Sequence, residues 1–156
     1  MNENPGYLPE DAWFGGFFDG EGHVGITPPS RSSLYLLQVA VTQVDVAPLL
    51  LFRERFGGKV LGPYTRQGSN SRPISRWVAE TGRAEAALRV LLPYLIVKRA
   101  QAELGLEFRE LFKGENTLPR GCESSRLRNV RKRDHVMALR KDCYDRMRSL
   151  NKRGIS

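Results

Sequence analysis

The sequence predicts an α+β domain with a four-stranded antiparallel sheet, followed by a basic helical tail. Two pairs of short segments rich in β-branched and apolar residues alternate with segments whose apolar residues recur at helical spacing. A chain of 156 residues suits one domain with a short tail. Residues 1–112 hold 12 basic and 12 acidic residues, whereas residues 113–156 hold 13 basic and 5 acidic residues, so the net charge of +8 lies in the tail.

The first half of the chain predicts helix, strand, strand and helix. Proline and two acids at 9–11 favour a helix start, because both suit the positive end of a helix dipole. Asp45 is a suitable N-cap for the second helix, and the glycine pair at 57–58 ends it. The predicted elements are a helix from Pro9 to about Gly20, strands over His23–Thr27 and Leu34–Val44, and a helix from Asp45 to Gly57.

The second half repeats two strands and then continues as helices. The segment RQGSNS at 66–71 predicts a turn between the two strands, and Pro93 separates two helices. The predicted elements are strands over Lys59–Tyr64 and Arg72–Glu80, helices over Arg83–Leu92 and Leu95–Phe112, and a basic helix from Asn129 with an apolar stripe of Val136, Leu139, Cys143, Met147 and Leu150. The predicted organisation is a core over 1–112, a linker over 113–128 and a helical extension over 129–156.

Composition restricts the classes of function. No apolar run reaches the roughly 18 residues that a membrane span needs. The first ten residues carry acids and no Lys or Arg, which is not typical of a signal peptide. Cys122 and Cys143 fit no metal-binding spacing. The basic tail favours a polyanionic partner, although a helix that only exposes its charges to solvent would have the same composition.

The segment FGGFFDGEG at 14–22 carries an unusual combination of residues. It places two glycines inside a helix, each costing about 1 kcal/mol relative to alanine. It also places two carboxylates at the helix end, where the dipole disfavours anions by roughly 0.3–1 kcal/mol. Gly16 and Gly20 share one face and would let a second helix approach closely. Carboxylates at the helix end could bind a hard cation, which would offset the dipole penalty. The alternative is a glycine-rich helix end followed by an acidic turn.

This nonapeptide resembles the LAGLIDADG motif of homing endonucleases. Three further segments support the resemblance, which covers about residues 8–112. The segment VTQ at 41–43 resembles the strand end that carries an active-site Gln in single-motif members, and LPYLIVKRAQA at 92–102 resembles the segment that carries an active-site Lys. The segment FGGKV at 56–60 resembles the turn between the two halves of the sheet. Glu21 stands where many members have Asp, which puts the metal geometry in question.

The resemblance implies a homodimeric homing endonuclease. It would recognise a long, roughly palindromic double-stranded DNA site and hydrolyse both strands to leave short 3′ overhangs. Mg²⁺ is the expected cofactor; Mn²⁺ is expected to substitute, and Ca²⁺ to support binding without cleavage. No membrane and no small-molecule substrate are expected. The resemblance also implies an intracellular location: the cytoplasm or nucleoid of a bacterium or phage-infected cell, or an organelle.

The resemblance assigns roles to individual residues. Glu21 would bind the metal with the Gly20 carbonyl, Gln43 would position a water, and Lys98 would stabilise charge at the phosphate. Asp19 is expected in the catalytic set, either as a ligand or as a capping and positioning group. The expected dimer interface is the first helix, through Phe14, Gly16, Phe17 and Gly20.

DNA contacts are expected on the open face of the sheet and on the tail. The residues expected on the sheet and its turns are Thr27, Arg31, Ser33, Gln38, Arg66, Gln67, Asn70, Arg72 and Ser75. Those expected to contact phosphates from the tail are Arg131, Lys132, Arg133, Arg140 and Lys141. Trp77 is expected in the core. His23 and His135 are isolated in sequence, which does not favour a catalytic histidine.

Two alternatives remain at the level of sequence. One is a non-cleaving DNA- or RNA-binding protein of the same fold, such as an intron maturase or a transcription regulator. The presence of Asp19, Glu21, Gln43 and Lys98 favours the enzyme. The other is an isolated half of a two-motif monomer, which the self-contained start and the unmatched tail disfavour.

Overall fold

The computed structural model describes residues 9–29, 35–65, 68, 70–113 and 125–153. Its elements follow the predicted order of helices and strands. They are α1 (Pro9–Glu21), β1 (Gly22–Thr27), β2 (Leu36–Gln43), α2 (Ala47–Phe56), β3 (Lys59–Tyr64), β4 (Ile74–Glu80), α3 (Thr81–Leu91), a 3₁₀ turn (Leu92–Tyr94), α4 (Arg99–Lys113) and α5 (Ser125–Arg153). The prediction of an α+β fold is confirmed.

The four strands form one antiparallel sheet in the order β1-β2-β4-β3. Alternate residues of the two central strands, including Val39, Val41 and Trp77, are fully buried against the helices. Trp77 is 0% exposed and its indole N–H donates to the carbonyl of Gly57 at 2.8 Å, which ties β4 to the end of α2. The prediction that Trp77 belongs to the core is confirmed.

Several element boundaries differ from the prediction. β4 begins at Ile74 rather than Arg72, directly after Pro73, which has no N–H to donate to a ladder. β2 begins at Leu36 rather than Leu34. The Asp45 carboxylate accepts a hydrogen bond from the Ala47 N–H at 2.9 Å, as expected of a cap, although α2 itself begins two residues later. α4 begins at Arg99, four residues after the predicted start.

Helix α1 is fixed to α2 by an ion pair and by aromatic packing. The Asp11 carboxylate, 6% exposed, accepts two hydrogen bonds from Arg55 at 2.9 and 3.1 Å. Phe14 and Phe18 pack on the ring of Phe52, with centroids 4.9 and 6.4 Å away. The C-terminal end of α1 is therefore held at one end of the sheet, where β1 begins.

Helix α5 packs on the core through residues of its C-terminal half. Cys143 and Met147 are 2% and 1% exposed within the core cluster. The side-chain amide of Asn151 donates to the Val24 carbonyl at 3.1 Å, and Arg146 binds the Glu107 carboxylate of α4 at 2.7 and 3.1 Å. Leu139, another member of the predicted apolar stripe, is 38% exposed.

Among the described residues, no helix combines the length and the apolar character needed to cross a membrane.

Candidate active site

The glycines of α1 divide between two faces of the helix. Gly15 faces inward, where an added Cβ would lie 2.9 Å from Cγ of Tyr94 and closer still to its Cβ. Gly16 and Gly20 are exposed, and an added Cβ at either position would meet nothing within 4 Å. This open glycine face is the surface that the sequence predicted for a second helix.

The predicted interface residues do not all lie on that open face. Phe17 is half-buried beside Gly16 and Gly20. Phe14 is 8% exposed and packs against Phe52 and Phe56 in the core, so the expectation for Phe14 is wrong. Trp13, which the motif did not single out, is 42% exposed on α1.

Asp19 and Lys98 cap each other's helices. The Asp19 carboxylate accepts hydrogen bonds from the backbone N–H groups of Ile96, Val97 and Lys98 at 3.1, 3.0 and 2.9 Å, immediately before α4 begins. The Lys98 ammonium in turn donates to the carbonyls of Asp19 and, at 3.3 Å, of Gly20 at the end of α1. Each charge sits at the helix end whose dipole favours it. This exchange explains why α4 starts four residues later than predicted.

The electrostatics of Asp19 follow from this arrangement. Partial burial acts to raise the pKa of the carboxyl, but the backbone N–H groups of Val97, Lys98 and Ile96 and the charge of Lys98 outweigh it, and the net pKa lies below the usual value of 3.8. The carboxylate stays ionised and is bonded on both oxygens. Asp19 is therefore built as a capping group, the second of the two roles that the sequence left open for it.

Glu21 carries an exposed carboxylate at the end of α1. It is the last residue of α1, next to the Gly20 carbonyl that Lys98 contacts. The sequence pattern suggested a cation for the acids at this helix end; Lys98 already supplies one positive charge there. The described residues contain no group of three or more metal-ligating side chains. At the end of α1, each chain thus offers the exposed carboxylate of Glu21 and the carbonyl of Gly20.

Gln43 ends β2 at the same end of the sheet. Gly22, which follows Glu21, pairs with Val41, two residues before Gln43. Gln43 is half-buried, and among the described residues no hydrogen bond joins it to Glu21 or Lys98. The strand register therefore places Gln43 at the same end of the sheet as Glu21, but the catalytic role of Gln43 stays a prediction.

The face of the sheet opposite the helices is open and polar. It carries Gln38 and Thr42 of β2, Arg76 and Glu80 of β4, Lys59, Leu61 and Tyr64 of β3, and His23 and Thr27 of β1. Thr27 donates to the Leu36 carbonyl at 3.3 Å, whereas Gln38 bonds to Glu80 at 3.0 Å and to Arg76 at 3.1 Å. Gln38 therefore lies on the open face, and its contact with DNA stays a prediction.

Ser75 does not lie on that open face. It is 7% exposed and shares the core side of β4 with Trp77, so the expectation that it contacts DNA is wrong. Side chains alternate along a strand, so an inward Trp77 requires Arg76 to point outward. That parity was available in the sequence and would have identified Arg76 in place of Ser75.

The other residues expected to contact DNA are only partly described. Asn70 and Arg72 are exposed in the segment before β4. Arg31, Ser33, Arg66 and Gln67, and the side chains of Arg131, Lys132 and Arg133, lie outside what the structure describes. Arg140 is 5% exposed, so it is not available as a surface phosphate contact, whereas Lys141 is exposed and pairs with Asp145 at 2.7 Å.

His23 lies on β1, two residues after the end of α1, and its side chain is on the open face of the sheet. Desolvation of the ring, with the positive charges of Arg76 and Lys98, lowers its pKa below the usual 6.5. The ring is therefore neutral at neutral pH. Its neighbours show that positive charge from two separate elements converges on this end of the open face.

Comparison with solved structures places the fold. The homing endonuclease I-CvuI, solved with the I-CreI target DNA, is 23% identical, and the match covers 90% of this chain and 81% of that chain with a TM-score of 0.67. The archaeal intron-encoded homing endonuclease I-Vdi141I, complexed with DNA, is 15% identical over 87% and 82% of the two chains, with a TM-score of 0.59. The LAGLIDADG homing endonuclease I-GzeII, in complex with its DNA target, is 17% identical over 86% of this chain and 44% of that chain, with a TM-score of 0.54. No protein-family model and no curated protein matches the sequence.

These comparisons show that the chain has the fold of the LAGLIDADG homing endonucleases. The motif that suggested the fold lies at α1 and its end, and the segment that the sequence predicted to carry an active-site Lys contacts the C-terminal end of α1 through Lys98.

Proposed function

We propose that this protein is a homing endonuclease that cuts both strands of a DNA site as a homodimer with bound divalent metal. The observation that carries the proposal is the convergence of Glu21, the Gly20 carbonyl and the Lys98 ammonium at one edge of an open polar sheet. The similar solved structures are homing endonucleases in complex with DNA.

The oxygen donors at this edge suit Mg²⁺. Mg²⁺ prefers hard oxygen ligands and usually keeps several waters, so one or two carboxylates suffice to bind it. Glu21 and the Gly20 carbonyl supply two such oxygens per chain, and Glu21 is exposed to solvent. When bound, the metal would polarise the scissile phosphate and lower the pKa of an attacking water. Mn²⁺ is expected to replace Mg²⁺, and Ca²⁺ to permit binding alone.

The surrounding residues would orient the phosphate and the water. Lys98 brings a positive charge to the end of α1, beside the proposed metal ligands, where it would stabilise negative charge that develops on the phosphate. Asp19 accepts from the backbone N–H groups of Val97 and Lys98 and so would act as a positioning residue. Gln43, at the end of β2, would orient the water through its side-chain amide.

A homodimer follows from the number of carboxylates and from the open face of α1. Each chain supplies one Glu21, whereas two DNA strands must be cut. A twofold axis along the Gly16 and Gly20 face would bring two copies of Glu21 together. Ile96 and Val97, beside the end of α1, are 85% and 71% exposed although they are apolar. The match covers about four fifths of I-CvuI and I-Vdi141I but under half of I-GzeII, so I-GzeII is long enough to hold two such units in one chain. This difference in length supports a unit that acts in pairs.

Two copies of the sheet would form one long DNA-binding surface. An antiparallel sheet with helices on one face leaves the other free to enter the major groove. Twofold symmetry predicts a roughly palindromic site. The net charge of +8, concentrated in residues 113–156, would add phosphate contacts.

Selection from a randomised DNA library tests the proposal. We expect the wild-type protein to enrich and cut a roughly palindromic sequence in the presence of Mg²⁺. Glu21→Gln should bind that sequence in Ca²⁺ but not cut it in Mg²⁺, because binding depends on the sheet rather than on this carboxylate. Glu10→Gln, at the other end of the same helix, is the matched control and should cut normally.

Two results would contradict the proposal. Cleavage by Glu21→Gln at the wild-type rate would remove Glu21 from the metal site. Specific binding without any cleavage by the wild-type protein would instead favour a maturase or transcription regulator of the same fold.

A further inference from the structure

A chain of hydrogen bonds joins three polar side chains on the open sheet face. The Arg76 guanidinium donates through Nη2 to Oε1 of Gln38 at 3.1 Å. Gln38 donates through Nε2 to Oε1 of Glu80 at 3.0 Å. The amide of Gln38 is thus oriented at both ends, by an acceptor on one side and a donor on the other.

The register shows that Arg76 extends along the sheet to reach this partner. Arg76 is paired with Thr42, and Gln38 is paired with Glu80, so one cross-strand pair on the same face, Ala40 with Val78, separates them. Ala40 is 1% exposed although it lies on the open face, as expected if the longer side chains cover it. The guanidinium of Arg76 is therefore held at a fixed place on the open face of the sheet, above Ala40 and Val78.

Arg76 has unused donors. Its Nε is buried and has no hydrogen-bond partner among the described residues, and it forms no ion pair within that part of the chain. Because the buried Nε cannot reach a ligand, the donors left for one are the N–H groups of Nη1 and Nη2 that do not bond Gln38. Arginine presents a planar fork that matches the O6 and N7 acceptors of guanine, which makes it the commonest specific base contact.

The position of Arg76 favours a base over a phosphate. β4 is an inner strand of the sheet, between β2 and β3, so Arg76 faces the middle of the surface rather than its rim. The floor of a sheet that enters the major groove meets base edges, whereas positive charges at the rim meet phosphates. Thr42, opposite Arg76, directly precedes Gln43 at the catalytic edge.

We propose that Arg76 recognises a guanine in the inner part of each half-site, and that Gln38 and Glu80 are positioning residues that hold its guanidinium. The inference rests on the proposed function, since it concerns the DNA that the sheet would bind. The sequence suggested that Gln38 contacts DNA directly, and this inference gives it a different role. Its amide acts on Arg76 rather than on a base.

A specificity profile tests the inference. The probe is the DNA sequence enriched by the wild-type protein, with each base pair varied in turn and binding measured in Ca²⁺. Arg76→Ala should lose preference for guanine at one inner position of each half-site by roughly 5- to 150-fold, the value of one bidentate base contact. The other positions should keep their preferences. Arg83→Ala removes an arginine of α3 that lines the same surface pocket as Arg76 but lies outside this network, and should leave that position unchanged.

The positioning residues have their own signature. Gln38→Ala and Glu80→Ala should weaken preference at the same position as Arg76→Ala, and the effects of Gln38→Ala and Arg76→Ala should not add in the double variant. Glu80→Gln keeps the acceptor oxygen and should restore most of the preference. Replacing a residue that has only a structural role would weaken the base preference at all positions of the site together.

Controls separate this inference from the proposed function. Arg76→Lys keeps the charge but not the fork, and should lose the same preference while remaining folded. An affinity loss in Arg76→Ala that is the same for every DNA sequence, and that Arg76→Lys largely restores, would overturn the inference, because it indicates a phosphate contact. Retention of the guanine preference would overturn it as well. A wild-type protein without any sequence-specific binding would overturn both proposals.

Discussion

The two neighbouring glycines of α1 should respond in opposite ways to the same added methyl group. At Gly15 the new Cβ would lie 2.9 Å from Cγ of Tyr94, and closer still to its backbone-anchored Cβ, so α1 or the 3₁₀ turn must move. Overpacking of this kind costs about 1–3 kcal/mol, and we expect the upper end because Pro93 stiffens the turn. The higher helix propensity of alanine offsets about 1 kcal/mol of that cost. The net loss in the free energy of unfolding should be about 1–2 kcal/mol.

At Gly16 the same change meets nothing within 4 Å. Gly16→Ala should therefore stabilise the isolated chain by up to about 1 kcal/mol through helix propensity alone. If this face packs against a second copy of α1, the methyl group, and more so a leucine, should weaken the dimer. Stability of the monomer and stability of the dimer would then change in opposite directions.

Urea denaturation at low protein concentration measures the first quantity, and sedimentation equilibrium measures the second. Gly15→Ala should lower the urea midpoint, whereas Gly16→Ala should raise it while increasing the dissociation constant of the dimer. A Gly16→Ala protein whose monomer is less stable than the wild type would contradict the open face seen here. A Gly16→Leu protein that remains a dimer and cuts DNA normally would contradict its role as the interface.

Three further predictions concern the active-site edge and the tail. The pKa of Asp19 is lower in the folded protein than its ordinary value, so the ionised carboxylate stabilises the fold above that ordinary pKa. This stabilisation is lost as the pH falls through the folded pKa. In urea titrations at several pH values, the free energy of unfolding should therefore depend less on acid pH for Asp19→Asn than for the control Asp45→Asn. Lys98→Met should reduce cleavage roughly 100- to 1000-fold, as loss of one preorganised positive group does, with binding in Ca²⁺ nearly unchanged; wild-type single-turnover rates would exclude Lys98 from the reaction. Neutralising the tail should weaken binding to target and random DNA alike and flatten the slope of log affinity against log salt by about 0.9 for each phosphate that is no longer neutralised; an unchanged slope would show that the charges only face solvent. The tail residues to be replaced by alanine are Arg131, Lys132 and Arg133.

The tail should be tested by substitution rather than by truncation. Removing α5 would expose the surfaces that Cys143 and Met147 bury, as well as the Glu107 carboxylate that Arg146 binds. A truncated chain would lose stability for that reason alone. Substitutions on α5 leave the packing in place and isolate the effect of charge.

Local signals in the sequence were sufficient for the order of the elements. Strand composition, glycine stops and the proline at 93 mark where each element begins or ends within two to four residues. The start of α4 was predicted wrongly because its cap, Asp19, is 77 to 79 residues away in the sequence. No local pattern contains that contact.

The candidate site shows the same division between local and long-range information. The motif identified Gly16, Gly20 and Glu21 on an exposed helix end, but only packing distinguishes Gly15, which faces Tyr94, from its neighbour. Composition alone suggested Ser75 and Arg140 as surface contacts, and both are buried. For Ser75 the alternation along β4 was available in the sequence, whereas the burial of Arg140 depends on how α5 packs.

The proposal that two copies of Glu21 serve one cleavage event can be tested with a mixed dimer. Differently tagged wild-type and Glu21→Gln chains can be purified together and compared with both homodimers on a plasmid that carries the selected site. We expect the wild-type homodimer to linearise the plasmid in Mg²⁺, and the mixed dimer to bind equally well but to lose double-strand cleavage. Linearisation by the mixed dimer at the wild-type rate would contradict the account, because one Glu21 would then be enough to cut both strands.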